Sequence, residues 1–127
     1  MAIRTELNLR VPNSPGTLAG LSRVLADERV NIIAMSVEAN GHLRLVVDNH
    51  VRAASVLRER HYQVNERQVM FVPIANGPGA LAAVLALAAQ GGVNIEYAYA
   101  SAADGNPSTG VVLGVEDATR ASAATGL

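Results

Sequence analysis

Residues 11–18 of this 127-residue chain read Val-Pro-Asn-Ser-Pro-Gly-Thr-Leu, and Val30-Asn31-Ile32 follows further on. The pattern returns as Ile74-Ala75-Asn76-Gly77-Pro78-Gly79-Ala80-Leu81, followed by Val93-Asn94-Ile95. Asn13, Pro15, Gly16, Leu18, Val30, Asn31 and Ile32 each meet the same residue type 63 positions later. A constant offset across a loop, a helix and the start of a strand marks a duplicated unit. Each copy must then complete its fold in about 60 residues, a size that buries only ~60% of the chain surface and is marginal alone. Each is expected to gain stability from the other or from a second chain.

Read in order, the first copy alternates. Ile3, Thr5, Leu7, Leu9 and Val11 share one face of a strand, with Arg4, Glu6, Asn8 and Arg10 on the other. Ser14 suits an N-cap and Pro15 the first helical position, so a helix is expected over about 15–28, striped by Leu18, Leu21, Val24 and Leu25. A strand follows over 31–39. Asn40-Gly41 is a hairpin signal, leading to a strand over 42–48 with Leu43, Leu45 and Val47 inward. Asn49 can cap a helix over 50–60 striped by Val51, Ala54 and Leu57, and a fourth strand begins at Tyr62-Gln63-Val64. The order β-α-β-β-α-β with right-handed crossovers is the ferredoxin-like arrangement, antiparallel strands with helices on one face.

The second copy repeats this order. Its helix is expected to be striped by Leu81, Val84 and Leu85 and stopped by Gly91-Gly92. Its second strand is ambiguous in facing: the bulk lies on Ile95, Tyr97 and Tyr99, out of phase with Ile33, Met35 and Val37 of the first copy. A sheet covered on both faces would explain this. Its hairpin, 102–108, is longer, and beyond it the offset becomes 68. At that offset a counterpart of Tyr62 falls beyond Leu127, so the second copy lacks its fourth strand. The fold class is therefore α+β: two ferredoxin-like βαββαβ repeats, residues 1–66 and 67–127, the second truncated at its C-terminus. The missing strand is expected to leave an open edge near Val69–Pro73, which would favour a homodimer.

Composition narrows the function. Half of the residues are hydrophobic and only 3% aromatic, a globular make-up with small-residue packing. A net charge of −1 gives no electrostatic ground for nucleic-acid or anionic-membrane binding. The absence of cysteine excludes disulfides, thiol catalysis and Cys-based metal sites. His42, His50 and His61 lack metal-ligand spacing. Asp104 and Asp117 read as a turn residue and a helix cap. Gly77-Pro78-Gly79 lacks the Lys-Ser/Thr of a phosphate loop, and no nucleophilic triad is placed by motif. Neither copy has the Arg that an acylphosphatase-like enzyme would need after its first strand. Phe71, Tyr97 and Tyr99 do not form the stacking pattern of an RNA-recognition motif. No catalytic residue, metal site or cofactor is expected. Charges within Met1–Glu6, where a secretory leader needs an apolar region, and the lack of a membrane-length apolar run suggest the cytoplasm.

Asn-x-Pro-Gly-x-Leu after a strand, then a helix, then Val-Asn-Ile resembles the ACT domain. Two copies in a short chain, with Asn94-Ile95-Glu96-Tyr97 at the second copy's second strand, are similar to the stand-alone tandem ACT proteins. The resemblance covers nearly the whole chain. It implies a non-catalytic regulatory module that binds a small ligand, usually an amino acid, at the seam between ACT-like domains. In the family's serine-binding version, the loop Asn of one domain and the Val-Asn-Ile Asn of its neighbour hold the ligand. Those roles would fall to Asn13 and Asn76, and to Asn31 and Asn94. Val11 and Ile74 stand where that version has a His. The implied ligand-binding set is Asn13, Ser14, Pro15 and Gly16 with Asn31 and Ile32, and Asn76, Gly77, Pro78 and Gly79 with Asn94, Ile95 and Glu96. The other reading is a ligand-free dimerisation module that associates with an enzyme of amino-acid metabolism.

The chemistry of these residues agrees with ligand binding. Helices starting behind Pro15 and Pro78 have free first-turn N–H groups that, with the helix dipole, suit a carboxylate. Gly16 and Gly79 leave room for close approach. An Asn amide can serve either a carboxylate or an ammonium, and Glu96 could hold an ammonium. The competing reading makes Asn13 and Asn76 turn formers and Asn31 and Asn94 residues that tolerate a left-handed helix exit.

Overall fold

The structure, a computed structural model, describes residues 3–101 and 104–127. Ala102 and Ala103 of the expected long hairpin lie outside the described residues. The elements are β1 (Ile3–Arg10), α1 (Thr17–Asp27), β2 (Ile32–Val37), β3 (His42–Val47), α2 (His50–Glu59), β4 (Val64–Ala75), α3 (Ala80–Gln90), β5 (Tyr97–Ser101), β6 (Ser108–Gly114) and α4 (Ala118–Thr125). They group into two compact units. The first comprises Thr5–Arg67, and the second Met1–Arg4 with Gln68–Leu127. No helix among the described residues is long and apolar enough to cross a membrane.

Each unit is a sheet with two helices on one face. In the first, the strand order is β2-β3-β1-β4. Its core joins Leu7 and Leu9 of β1 and Leu43, Leu45 and Val47 of β3 to Leu21 and Leu25 of α1 and Ala54 and Leu57 of α2. In the second, the order is β1-β4-β6-β5. Its core joins Met70, Val72, Val111, Leu113 and Val115 to Val84 of α3 and to Ala118 and Ala121 of α4. These are the α+β ferredoxin-like layers that the repeat implied.

The two units place the start of β1 with the second and Arg67 with the first. Ile3 packs against the second core, and the Arg4 guanidinium lies 5.2 Å from the centroid of the Phe71 ring. β1 thus stands in the fourth-strand position of the second unit's sheet. Conversely, Val64 at the start of β4 packs in the first core. β4 has β1 on one side and β6 on the other, so the open edge expected near Val69–Pro73 is not present.

The ambiguous facing of β5 resolves through volume exchange. In the first unit Ala34 pairs with Val46 and Ser36 with Arg44. The equivalent pairs in the second are Tyr97 with Gly114 and Tyr99 with Val112. Register is unchanged, and bulk moves from the third strand of the repeat to the second. A Cβ on Gly114 would lie 2.2 Å from the Tyr97 ring, so only glycine fits beneath it. The two tyrosine rings stack at 6.4 Å between centroids.

Two expected helix stripes are rotated. Val51 is 68% exposed, and Ala53, Ala54, Val56 and Leu57 are the buried residues of α2. On α3, Val84 and Ala88 are buried, whereas Leu81 and Leu85 are 45% and 38% exposed. α3 is apolar on every side, so hydrophobic spacing did not single out the face that meets the sheet.

Ile3→Ala is expected to destabilise the second unit by about 1–2 kcal/mol, below the cost for a fully buried site because Ile3 is partly exposed. Native-state hydrogen exchange should show faster opening at Met70, Val72 and Leu113, with Leu43 and Leu45 less affected. Arg29 adopts φ 58° after α1, where the equivalent Gly92 has φ 70°. Arg29→Gly is therefore expected to raise unfolding stability by about 0.5–1 kcal/mol in urea titration, because glycine avoids the left-handed penalty.

Candidate functional site

The loop after β1 is a tight turn rather than a helical start. The Thr17 N–H donates to the Ser14 carbonyl at 3.3 Å, and Gly16 has φ 85° and ψ −10°. Pro at the second position and a left-handed Gly at the third define a type II turn. The second copy repeats it: the Ala80 N–H donates to the Gly77 carbonyl at 3.3 Å, and Gly79 has φ 83°. Pro15 and Pro78 therefore set the turn, and α1 begins at Thr17 instead of Pro15. Ser14 is not the N-cap. Its hydroxyl lies 2.9 Å from that of Thr17, and the N-cap is Gly16, without a side-chain cap bond.

The chain therefore starts its helices in two ways. α2 is capped by Asn49, whose Oδ1 accepts from the Arg52 N–H at 3.1 Å. α4 is capped by Asp117, whose Oδ1 accepts from the Arg120 N–H at 3.0 Å. α1 and α3 have only a glycine at that position. Their second and third N–H groups, Leu18 and Ala19 in α1, have no intrahelical acceptor.

In the first unit these donors adjoin a cavity of ≈ 210 Å³. One wall is the turn, through Asn13, Ser14, Thr17 and Leu18. The other is the end of β2 and the hairpin after it, through Val37, Glu38, Ala39 and Gly41, with Val11 between the two walls. The hairpin stays close because the Val11 N–H donates to the Gly41 carbonyl at 2.8 Å. The Glu38 carboxylate accepts from Arg44 Nη1 at 2.7 Å, a bond that holds its pKa below the usual carboxylate value. The side chain of Asn13 makes no hydrogen bond among the described residues.

Sequence reasoning found the turn but missed the facing wall. Val37 and Leu18 read as ordinary core positions, and the only signal was Asn40-Gly41, which folds the strand end back towards the turn. Asn31 and Ile32 lie at the far end of β2. There the Asn31 N–H donates to Asp48 Oδ1 at 3.0 Å, and Ile32 leans on the first core. α1, 11 residues long, separates Asn13 from Asn31 by roughly 16 Å along its axis, so one unit does not bring the two together. In the second unit Asn76, Gly77, Pro78 and Gly79 are exposed in the equivalent turn. Asn94 and Glu96 are exposed before β5, the Glu96 N–H donates to the Gly114 carbonyl at 2.8 Å, and Ile95 packs on the second core. Asn76 differs from Asn13, because its Nδ2 donates to the Asn106 carbonyl at 2.8 Å and its N–H to the Pro107 carbonyl at 3.1 Å. The lengthened hairpin reaches the turn and engages the amide. No cluster of metal-binding side chains occurs among the described residues.

Residues 5–64 match the family model of the ACT domain. No curated protein matches the chain. Among solved structures, a protein from Bacteroides thetaiotaomicron is 31% identical, with 97% of this chain and 86% of that chain covered, at a TM-score of 0.86. The regulatory subunit of aspartate kinase from Thermus thermophilus, in its ligand-free form, is 20% identical over 98% of this chain and 90% of that chain, at a TM-score of 0.69. That from Thermus flavus is 19% identical over 99% and 92%, at a TM-score of 0.65. These two share the fold with this chain.

The division of labour among the asparagines is measurable as stability. Asn49→Ala, which removes a cap, should cost about 1 kcal/mol. Asn13→Ala should stay within about 0.5 kcal/mol of the parent, because no bond within the protein is lost. Thermal unfolding of the two variants checks both.

Proposed function

Since residues 5–64 match the ACT domain family, we propose that the chain is a non-catalytic regulatory module that binds an amino acid at the turn preceding α1. The observation that carries the proposal is the cavity of the first unit, where an uncapped helix start and the unengaged amide of Asn13 line one wall. A ligand carboxylate there would accept from the Leu18 and Ala19 N–H groups, aided by the helix dipole, and Asn13 would orient the polar end. Ser14, Pro15 and Gly16 shape the turn. The turn of Asn76, Gly77, Pro78 and Gly79 is the weaker candidate, because Asn76 already holds the hairpin. Asn31, Ile32, Asn94, Ile95 and Glu96 stand apart from the turn of their own unit. In this reading they act on a ligand carried by another ACT-like domain, which places the site at a seam. A cytoplasmic location belongs to the same proposal.

Titration calorimetry of the whole chain against the twenty amino acids tests it. At least one should bind. Asn13→Ala should weaken that binding by about tenfold or more, the loss of a hydrogen bond to a charged group, and Asn76→Ala should weaken it less. No heat with any amino acid would leave the second reading, a ligand-free interaction module serving an enzyme of amino-acid metabolism. Exposed Leu81, Leu85 and Leu87 on α3 favour that reading.

Self-association is a separate part of the proposal. It draws support from exposed Met35 and Val37 on edge strand β2. Light scattering should give the mass of a dimer, and a monomer at high protein concentration would remove this part alone.

A further inference from the structure

We infer that the first unit's cavity selects a ligand with a short, uncharged, branched aliphatic side chain, and that Val37 is the residue that sets this choice. The inference rests on the reading that an amino acid binds there, and it adds the class of side chain. Three observations carry it. The cavity's ≈ 210 Å³ lies below the ~300–1,000 Å³ typical of sites for drug-sized ligands, so the occupant is small. Its walls include Val11, Leu18 and Val37, three aliphatic side chains facing one space. Val37 is 43% exposed, although its β3 partner, Leu43, is buried in the core.

The charge of the lining agrees with them. Among the residues lining the cavity only Glu38 is ionisable, and its carboxylate is bonded to Arg44 Nη1 at 2.7 Å. A ligand side chain bearing a charge would enter a space with no free counter-charge and would have to give up water or break that pair. An aliphatic side chain loses nothing polar and covers Val37, Leu18 and Val11. The second copy has Ile74, Leu81 and Ala100 at the equivalent positions. Alanine in place of Val37 removes the part of the wall that would grip a branched chain, so selection is assigned to the first unit.

The test is calorimetry on the whole chain with L-valine, L-leucine, L-alanine, L-serine, L-lysine and L-glutamate, repeated on Val37→Ser and Leu18→Ala. Valine or leucine should bind at least about tenfold tighter than alanine or serine, since each buried methylene group discriminates by about tenfold or more. That gap should shrink to a few-fold in Val37→Ser while alanine still binds. Val37 lies on an exposed edge, and unfolding temperatures confirm that the variant is folded. Leu18→Ala, on the opposite wall, should narrow the gap in the same direction. Serine, lysine or glutamate binding as tightly as valine would overturn the selection while leaving the amino-acid reading intact. A gap that persists in both variants would overturn the assignment to this wall. Absence of binding by all six ligands and by the rest of the twenty would overturn the underlying reading, and this inference with it.

Discussion

A sheet cannot leave a buried strand without neighbours, because each unpaired N–H and C=O costs free energy comparable to a lost hydrogen bond. The second unit has β4, β6 and β5 side by side, and the start of β1 stands next to β4. The arrangement works because side-chain alternation continues unbroken along the chain. Ile3, Leu7 and Leu9 share one parity, as do Val64, Met70, Val72 and Ile74. Ile3 packs in the second core, and Leu7 and Leu9 in the first. One residue inserted near Arg4 or Arg67 would reverse the phase on one side and turn a core residue outward. The first unit is one contiguous stretch, Thr5–Arg67, whereas the second is completed by the start of β1.

Helix starts divide by how their first turns are capped. Asn49 and Asp117 satisfy the first turns of α2 and α4 from within, which makes those ends inert. The type II turns before α1 and α3 leave the helix starts without a side-chain cap, and the glycine in the left-handed region makes such a turn possible without strain. A side-chain cap at Gly16 would stabilise α1 and compete with any anion at the same donors.

Much of this was legible in the sequence. The constant offset located both copies, alternation located β1 and β4, and Asn40-Gly41, Asn49 and Asp117 performed as their local chemistry dictates. The turns were found as well, though Pro15 acts in a turn rather than inside a helix. Three things were not legible. Alternation says which residues share a face, but not which core that face meets, so the origin of the missing strand stayed hidden. α3 carries apolar residues all round, so spacing could not tell Val84 from Leu81. Asn13 and Asn76 occupy equal motifs, and what separates them is the Asn106 carbonyl, 30 positions further along the chain.

The exchange of bulk between β5 and β6 bears on how the duplicated halves can diverge. Val46 opposite Ala34 and Gly114 opposite Tyr97 are two solutions to the same filling problem. Moving from one to the other by single steps passes through either a collision, with a side chain driven into the Tyr97 ring, or a hole where both partners are small. The paired strands are therefore an indivisible unit of inheritance. A recombinant joined within the β5–β6 hairpin would combine halves that do not fit, whereas one joined outside it would carry both partners together.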